Sequence, residues 1–307
     1  MKNSVDNRLI WLNGKIVHLQ DAKINVLAPT SQFGLNVFEG IRCYWNSEKE
    51  QLFAFRLQDH YERLQRSVKL LKIQCDYSIE YMKKAMIDVV KQEEYKENIA
   101  VRQTVFIDGF GSWSSKNPVG MFIAPMPKGM PSKEYNKKGL NCCISTWRRI
   151  SDQNLSPRIK CGANYINSRM AQLEAWDNGY DCAIFLNERG QLSEGPGSCL
   201  FIVKNGELIT PALTDCVLES ITRDTVIKIA LDLGITVQER QIDRTELYTC
   251  DEAFLCGSAM EITPIYSVDR YSITKVEGVL TSRLHKTYMD IVSGRDEKYS
   301  KWLEGIY

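Results

Sequence analysis

Apolar and polar residues recur along this chain with two periods, and those periods lay out most of its elements. The opening pattern LIWL, Asn13-Gly14, KIV sets two β-prone runs around an Asn-Gly pair. That predicts a hairpin, because a type I′ turn needs positive φ at both central residues. A strand over 52–55 leads into LQDHYERLQRSVKLLKI, where Leu57, Tyr61, Leu64, Val68 and Leu71 recur at helical spacing. One face of that helix packs and its charged remainder is solvated. A second helix is predicted over 79–92 and a strand over 100–107. From Met126 to Lys138 prolines, glycines and lysines cluster, which disfavours helix and central strand and predicts a linker.

Beyond it, 140–146 reads as a strand. Residues 164–178 read as a helix with Ile166, Met170, Leu173 and Trp176 on one side and Gly179 at its C′ position. A β-meander follows: DCAIFLN, a turn at Glu188-Arg189-Gly190, QLSEG, SCLFIVK, Asn205-Gly206 and ELITP. Helix 221–233 ends at Gly234, and ITVQERQI and EAFLCGSAMEITPIYSV read as late strands. A chain of 307 residues is long for one core, so two mixed α/β domains are expected. They are a smaller one over 1–125, a linker over 126–138 and a larger one over 139–307.

Charge and cysteine usage narrow the function classes. A formal net charge of +1 gives no electrostatic reason for a nucleic-acid or anionic-membrane partner. The first residues lack a secretory h-region, and no apolar run approaches the roughly 20 residues of a membrane span. The ten cysteines form no C-x-x-C, and the three histidines form no H-E-x-x-H, so zinc spacing is absent and no metal is expected. Cysteines in runs such as DCAIFLN and SCLFIV read as small buried hydrophobes in a reducing compartment, hence a cytoplasmic protein.

Four features could carry chemistry. Lys160, in SPRIKCGANYINS, precedes small residues that admit a flat ligand, and a lysine amine can form a Schiff base with a carbonyl cofactor. The ordinary alternative is a solvated loop lysine. Glu194, in SEGPG, lies where burial is expected and needs a cationic partner there, such as a protonated pyridine nitrogen; otherwise it is an exposed turn glutamate. Ser220-Ile221-Thr222-Arg223 opens a helix whose N–H groups suit a phosphate, or Ser220 simply caps it. Gly257-Ser258-Ala259-Met260 could turn backbone N–H groups toward an anion, or be a tight strand-end turn.

Taken jointly, the chain resembles fold-type IV pyridoxal 5′-phosphate (PLP) enzymes, and most closely the branched-chain amino-acid aminotransferases. The similarity runs roughly from Ile10 to Val268 and includes IWLNGK, VFEGIRCY, HYERL, KCGANY, SEGPGS, SITRD and GSAMEITPI, in the family's order. The resemblance implies a two-domain α/β fold. It implies a transaminase in which Lys160 forms the Schiff base (the internal aldimine) and shuttles a proton. Glu194 would pair with the pyridine nitrogen and Tyr165 with the phenolic oxygen, while Leu218 packs on the ring. Arg63, Ile221, Thr222 and Ser258 would bind phosphate. Ser258 and Ala259 would meet the substrate carboxylate, Phe38 would shape the side-chain pocket, and Arg102 and Lys128 would complete the substrate site.

The departures fall in the substrate pocket. Gln32-Phe33-Gly34 lacks the family's hydroxylated aromatic, Ala100-Val101-Arg102 keeps the arginine without the tyrosine, and Lys128 replaces a tryptophan. Glu219-Ser220 replaces Pro-Gly. Lost or added hydrogen bonds shift discrimination strongly, so transamination with a branched-chain-like donor is expected, with a preference shifted to an amino acid that is not a simple branched-chain one as the alternative. An L-amino acid donor and a 2-oxo acid such as 2-oxoglutarate are implied. Alternatives within the fold are an aminodeoxychorismate-type lyase and a D-amino-acid aminotransferase; outside catalysis, a PLP-binding carrier. The family implies a homodimer or larger, with the segment around Phe33 and the 109–117 loop reaching the partner.

Overall fold

The computed structural model describes residues 7–127, 139–273 and 278–307. They fall into two units, one built from the chain up to 127 with 159–163 and 291–307, the other from 139–158 and 164–290.

The first unit carries a seven-stranded antiparallel sheet. Its strands are β1 (Leu9–Leu12), β2 (Lys15–His18), β3 (Asn36–Asn46), β4 (Gln51–Phe55), β5 (Ile99–Ile107), β6 (Val119–Pro127) and the late β16 (Leu303–Gly305). Across the sheet the order is β16-β4-β3-β5-β6-β1-β2. The predicted hairpin is β1–β2, with Asn13 at φ 47° and Gly14 at φ 92° as the type I′ turn requires. Short α1 (Pro29–Phe33) precedes β3; α2 (Leu57–Leu70) and α3 (Ile79–Glu93) follow β4. Leu57, Tyr61 and Leu64 of the predicted stripe are buried against Val37, Ile41 and Cys43 of β3 and Met82, Met86 and Val89 of α3 in one core.

Of the predicted linker, Met126 and Pro127 close β6, paired with Ala100 and Ile99; residues 128–138, Lys128 among them, lie outside the described ones. The second domain was expected to hold 139–307 throughout. Residues 159–163 instead group with the first unit, where Cys161 bridges to Val37. Residues 291–307 do so because β16 pairs with β4.

The second unit carries a nine-stranded mixed sheet, and with it the two-domain α/β architecture is observed. Its strands are β7 (Leu140–Arg148), β8 (Cys182–Leu186), β9 (Glu194–Gly195), β10 (Ser198–Lys204), β11 (Glu207–Thr210), β12 (Val237–Glu239), β13 (Glu252–Gly257), β14 (Glu261–Val268) and β15 (Tyr271–Ser272). The main order is β12-β11-β10-β13-β14-β7-β8, with β9 on β10 and β15 on β14. The expected meander is present: β8 turns back so that Leu186 bridges antiparallel to Leu192, and β9–β10–β11 follow, while β8 also pairs parallel to β7 at the edge of the sheet. A parallel pair needs a crossover, and α4 (Asn164–Asp177) supplies it.

α4 packs by a different face than its large apolar residues suggest. Ala171 and Ala175 are buried with Cys143, Ala183 and Phe185, whereas Ile166, Met170 and Trp176 are exposed. Small side chains let the helix lie close on the strands beneath it. Later come α5 (Ile221–Asp232), α6 (Arg244–Tyr248) and α7 (Val279–Val292). Among the described residues no helix is long and apolar enough to cross a membrane.

Candidate active site

Lys160 is held from both sides within the first unit. Its backbone N–H donates to Ser67 Oγ of α2 at 3.1 Å, and its carbonyl accepts the Phe38 N–H of β3 at 2.9 Å. The ammonium Nζ lies 5.1 Å from the centre of the Phe38 ring, and the Arg102 guanidinium stacks on the same ring at 3.9 Å. Both are within cation–π range. Phe38 is buried and Arg102, on β5, is exposed.

Arg63 lies on α2 one turn before Ser67 and is buried. Its Nε donates to Glu39 Oε1 at 2.8 Å and its Nη2 to Glu39 Oε2 at 2.7 Å, a two-point fork. His60, one turn earlier, donates from Nδ1 to Glu39 Oε2 at 2.7 Å. Burial alone would raise the Glu39 pKa, but the charge and hydrogen bonds of Arg63, with those of His60, hold the carboxyl well below the usual carboxylate range. Burial pushes the His60 pKa down, outweighing the pull of Glu39, so the ring is neutral at physiological pH.

Glu194 belongs to β9 of the second unit and is buried, as the pattern of its surroundings predicted. Arg149, just after β7 and itself buried, donates from Nε to Glu194 Oε1 at 2.8 Å and from Nη1 to Asn167 Oδ1 at 3.2 Å. On the other oxygen, the Leu218 N–H donates at 3.1 Å and the Cys199 thiol lies 3.8 Å away. Leu218 therefore leads directly from the carboxylate into the segment that opens α5.

Ser220 caps α5, accepting the Arg223 N–H at 3.2 Å, so the capping alternative is realised. The capped helix still offers its first turn, Ile221 and Thr222, both buried. Ser258 and Ala259 form the turn between β13 and β14. Just before them a Cβ on Gly257 would lie 3.1 Å from the Gly197 carbonyl oxygen, so a larger residue there would crowd the neighbouring backbone. Tyr165 is half-buried in the first turn of α4.

Three participants escaped the sequence reading. Glu39 had a signal: it is the one charged residue in the alternating run Val37, Glu39, Ile41, Cys43, whose other members join the core. His60 and Arg63 stand at i, i+3 on the helix edge that ends at Ser67. Arg149 had none, since an arginine after a strand is ordinary.

The family model for amino-transferase class IV matches residues 36–268. The chain is 36% identical to a probable branched-chain-amino-acid aminotransferase of Aquifex aeolicus, over 100% of this chain and 99% of that one. It is similar to the crystal structure of the branched-chain aminotransferase of Thermoproteus uzoniensis with norvaline: TM-score 0.93, 41% identity, 98% of this chain and 99% of that one. The branched-chain amino acid aminotransferase of Thermobaculum terrenum in its PLP form gives TM-score 0.92 and 40% identity, over 99% of both chains. With a family model spanning most of its length and relatives matched end to end, the chain belongs to the class IV aminotransferases.

Proposed function

We propose that this protein is a PLP-dependent transaminase whose donor is a branched-chain L-amino acid and whose acceptor is a 2-oxo acid such as 2-oxoglutarate. The observation that carries the reading is the fixation of Lys160 by Ser67 and Phe38, in a chain matched end to end by relatives of that name. The donor set fits the cofactor. A phosphate suits a buried, fork-held guanidinium and a helix first turn, which Arg63 and α5 offer. A protonated pyridine nitrogen suits a buried carboxylate, which Glu194 offers.

When bound, PLP supplies an electrophilic carbon and an electron sink. Lys160 Nζ would hold it and, freed by the substrate amine, would move a proton at the substrate α-carbon. Glu194 would hold the proton on the ring nitrogen, Tyr165 would donate a hydrogen bond to the phenolic oxygen, and Leu218 would pack on the ring. Arg63, Ile221, Thr222 and Ser258 hold the phosphate. Backbone N–H groups of Ser258 and Ala259 orient the substrate carboxylate. Phe38 shapes the side-chain pocket, Arg102 supplies positive charge for an acceptor's second carboxylate, and Lys128 joins the substrate site.

The working form is a homodimer or larger in the cytoplasm. Val26, Leu27 and Phe33 are exposed near α1, and Phe110 and Trp113 in the loop between β5 and β6 are 81% and 73% exposed. A Cβ on Gly111 would lie 3.5 Å from Pro29 Cγ, so the two segments are neighbours and form one apolar surface for a second copy. All ten cysteines are free thiols, which supports a reducing compartment.

The test is the visible spectrum of the PLP-loaded protein during titration with single amino acids. Bleaching by leucine, isoleucine or valine, reversed by 2-oxoglutarate, is the expected result. Bleaching by polar or D-amino acids alone overturns the donor class. A bound cofactor that ignores every amino acid overturns transamination.

A further inference from the structure

Glu39 occupies a position that stability alone gives no reason to charge. It is fully buried on the face of β3 that places Val37, Ile41 and Cys43 in the core. β3 is buried on both faces, with Phe38 and Tyr44 on the other, and a strand so enclosed calls for an apolar residue there. A buried ion pair is commonly replaceable by apolar residues at no loss of stability. What an apolar residue could not reproduce is the geometry. The carboxylate takes the Nε–Nη2 edge of Arg63 at 2.8 and 2.7 Å, which fixes the guanidinium plane and leaves Nη1 as the end that Glu39 does not hold. His60 Nδ1, at 2.7 Å, fixes the carboxylate in turn, and His60 and Arg63 share one edge of α2.

We propose that Glu39 is a positioning residue: with His60 behind it, it presets the Arg63 guanidinium for a phosphate. The proposal rests on the reading of Arg63 as a phosphate ligand of the cofactor. An arginine ordered in advance loses no rotamer freedom when the anion arrives. Charge alone argues the opposite way, because neutralising Glu39 would leave Arg63 unbalanced and more attractive to an anion. Positioning and charge therefore predict changes of opposite sign.

The experiment uses the full-length protein stripped of cofactor. Dissociation constants are measured for PLP, for pyridoxal without phosphate and for inorganic phosphate, in wild type, Glu39→Asp, Glu39→Gln, Arg63→Gln and Glu39→Gln/Arg63→Gln. Glu39→Asp and Glu39→Gln are expected to weaken PLP and phosphate roughly 3- to 10-fold, the factor for one long side chain ordered on binding. Pyridoxal affinity stays at the wild-type value, and Glu39→Gln adds nothing once Arg63 is Gln. Glu39→Asp keeps the charge pair and carries the test if Glu39→Gln does not fold. Folded Asp or Gln variants that bind PLP as tightly as wild type, or more tightly, overturn the proposal. So does an equal loss of PLP and pyridoxal, which marks a general packing role. An Arg63→Gln variant with unchanged phosphate affinity instead strikes the underlying reading of Arg63.

Discussion

Replacing Arg149 by Met removes the charged partner of Glu194 while keeping most of the apolar stem. The loss comprises the 2.8 Å bond to Glu194, the 3.2 Å bond to Asn167 and the guanidinium 5.7 Å from the centre of the Phe185 ring. Both partners are buried, with side chains 7% and 4% exposed, so water cannot substitute for the lost cation. Removing one member of such a pair costs roughly 3–5 kcal/mol. The Leu218 N–H still serves Oε2, which puts the expectation near the lower end, about 3 kcal/mol. Glu194→Gln in the Arg149→Met background removes the stranded charge and should recover roughly 1–2 kcal/mol. Equilibrium urea unfolding of the cofactor-free proteins, as a double-mutant cycle, measures both quantities without the added stability that a bound ligand contributes. An Arg149→Met variant within about 0.5 kcal/mol of wild type, the range of an inconsequential surface change, would refute the reasoning.

Three further outcomes follow from the packing. The lowered pKa of Glu39 means that its contribution to stability is complete above the ordinary carboxyl pKa of 4.5 and fades as pH falls below it. Thermal midpoints from pH 7 to 3 should therefore drop less steeply in a folded Glu39→Gln variant than in wild type. In Gly278→Ala the new Cβ would lie 1.7 Å from Glu252 Cδ. It would push that carboxylate off Leu280 N and the Thr281 N and Oγ1 atoms at the start of α7, costing roughly 1–3 kcal/mol by urea unfolding. Ser78→Ala removes the acceptor of the Tyr81 N–H that caps α3 and should cost about 1 kcal/mol, with transaminase activity retained in the folded fraction.

Local periodicity carried the helices and the turn chemistry carried the hairpins. α2 begins at Leu57 as predicted, and Asn205-Gly206 turns β10 into β11 with φ 53° and 80°. Where partners are distant in sequence, the same reasoning had less to work with. Nothing local says that β8, besides meeting Leu192 in the meander, also pairs back on β7 across α4. Nor does a list of apolar residues at i, i+4, i+7 say which helix face is buried. On α4 the alanines win, because close packing on Cys143 and Phe185 leaves no room for Ile166 or Trp176. Lys160, Glu194 and Arg63 were legible because motif order named them.

The residues that support those three were missed for one shared physical reason. A buried charge is an anomaly that a single strand can display, as Glu39 does among Val37, Ile41 and Cys43, but its partner is set by the fold. Glu39 meets His60 and Arg63 across 21 and 24 residues, and Glu194 meets Arg149 across 45. Each contact joins a strand to a helix or to a loop that no period connects. An apolar side chain at these places would need only the right volume, so such a position tolerates substitution. A fork-held carboxylate needs one partner at one angle. A charged residue on the buried side of an alternating strand is therefore the position to examine first when the ligands of a site are known and the residues that hold them in place are not.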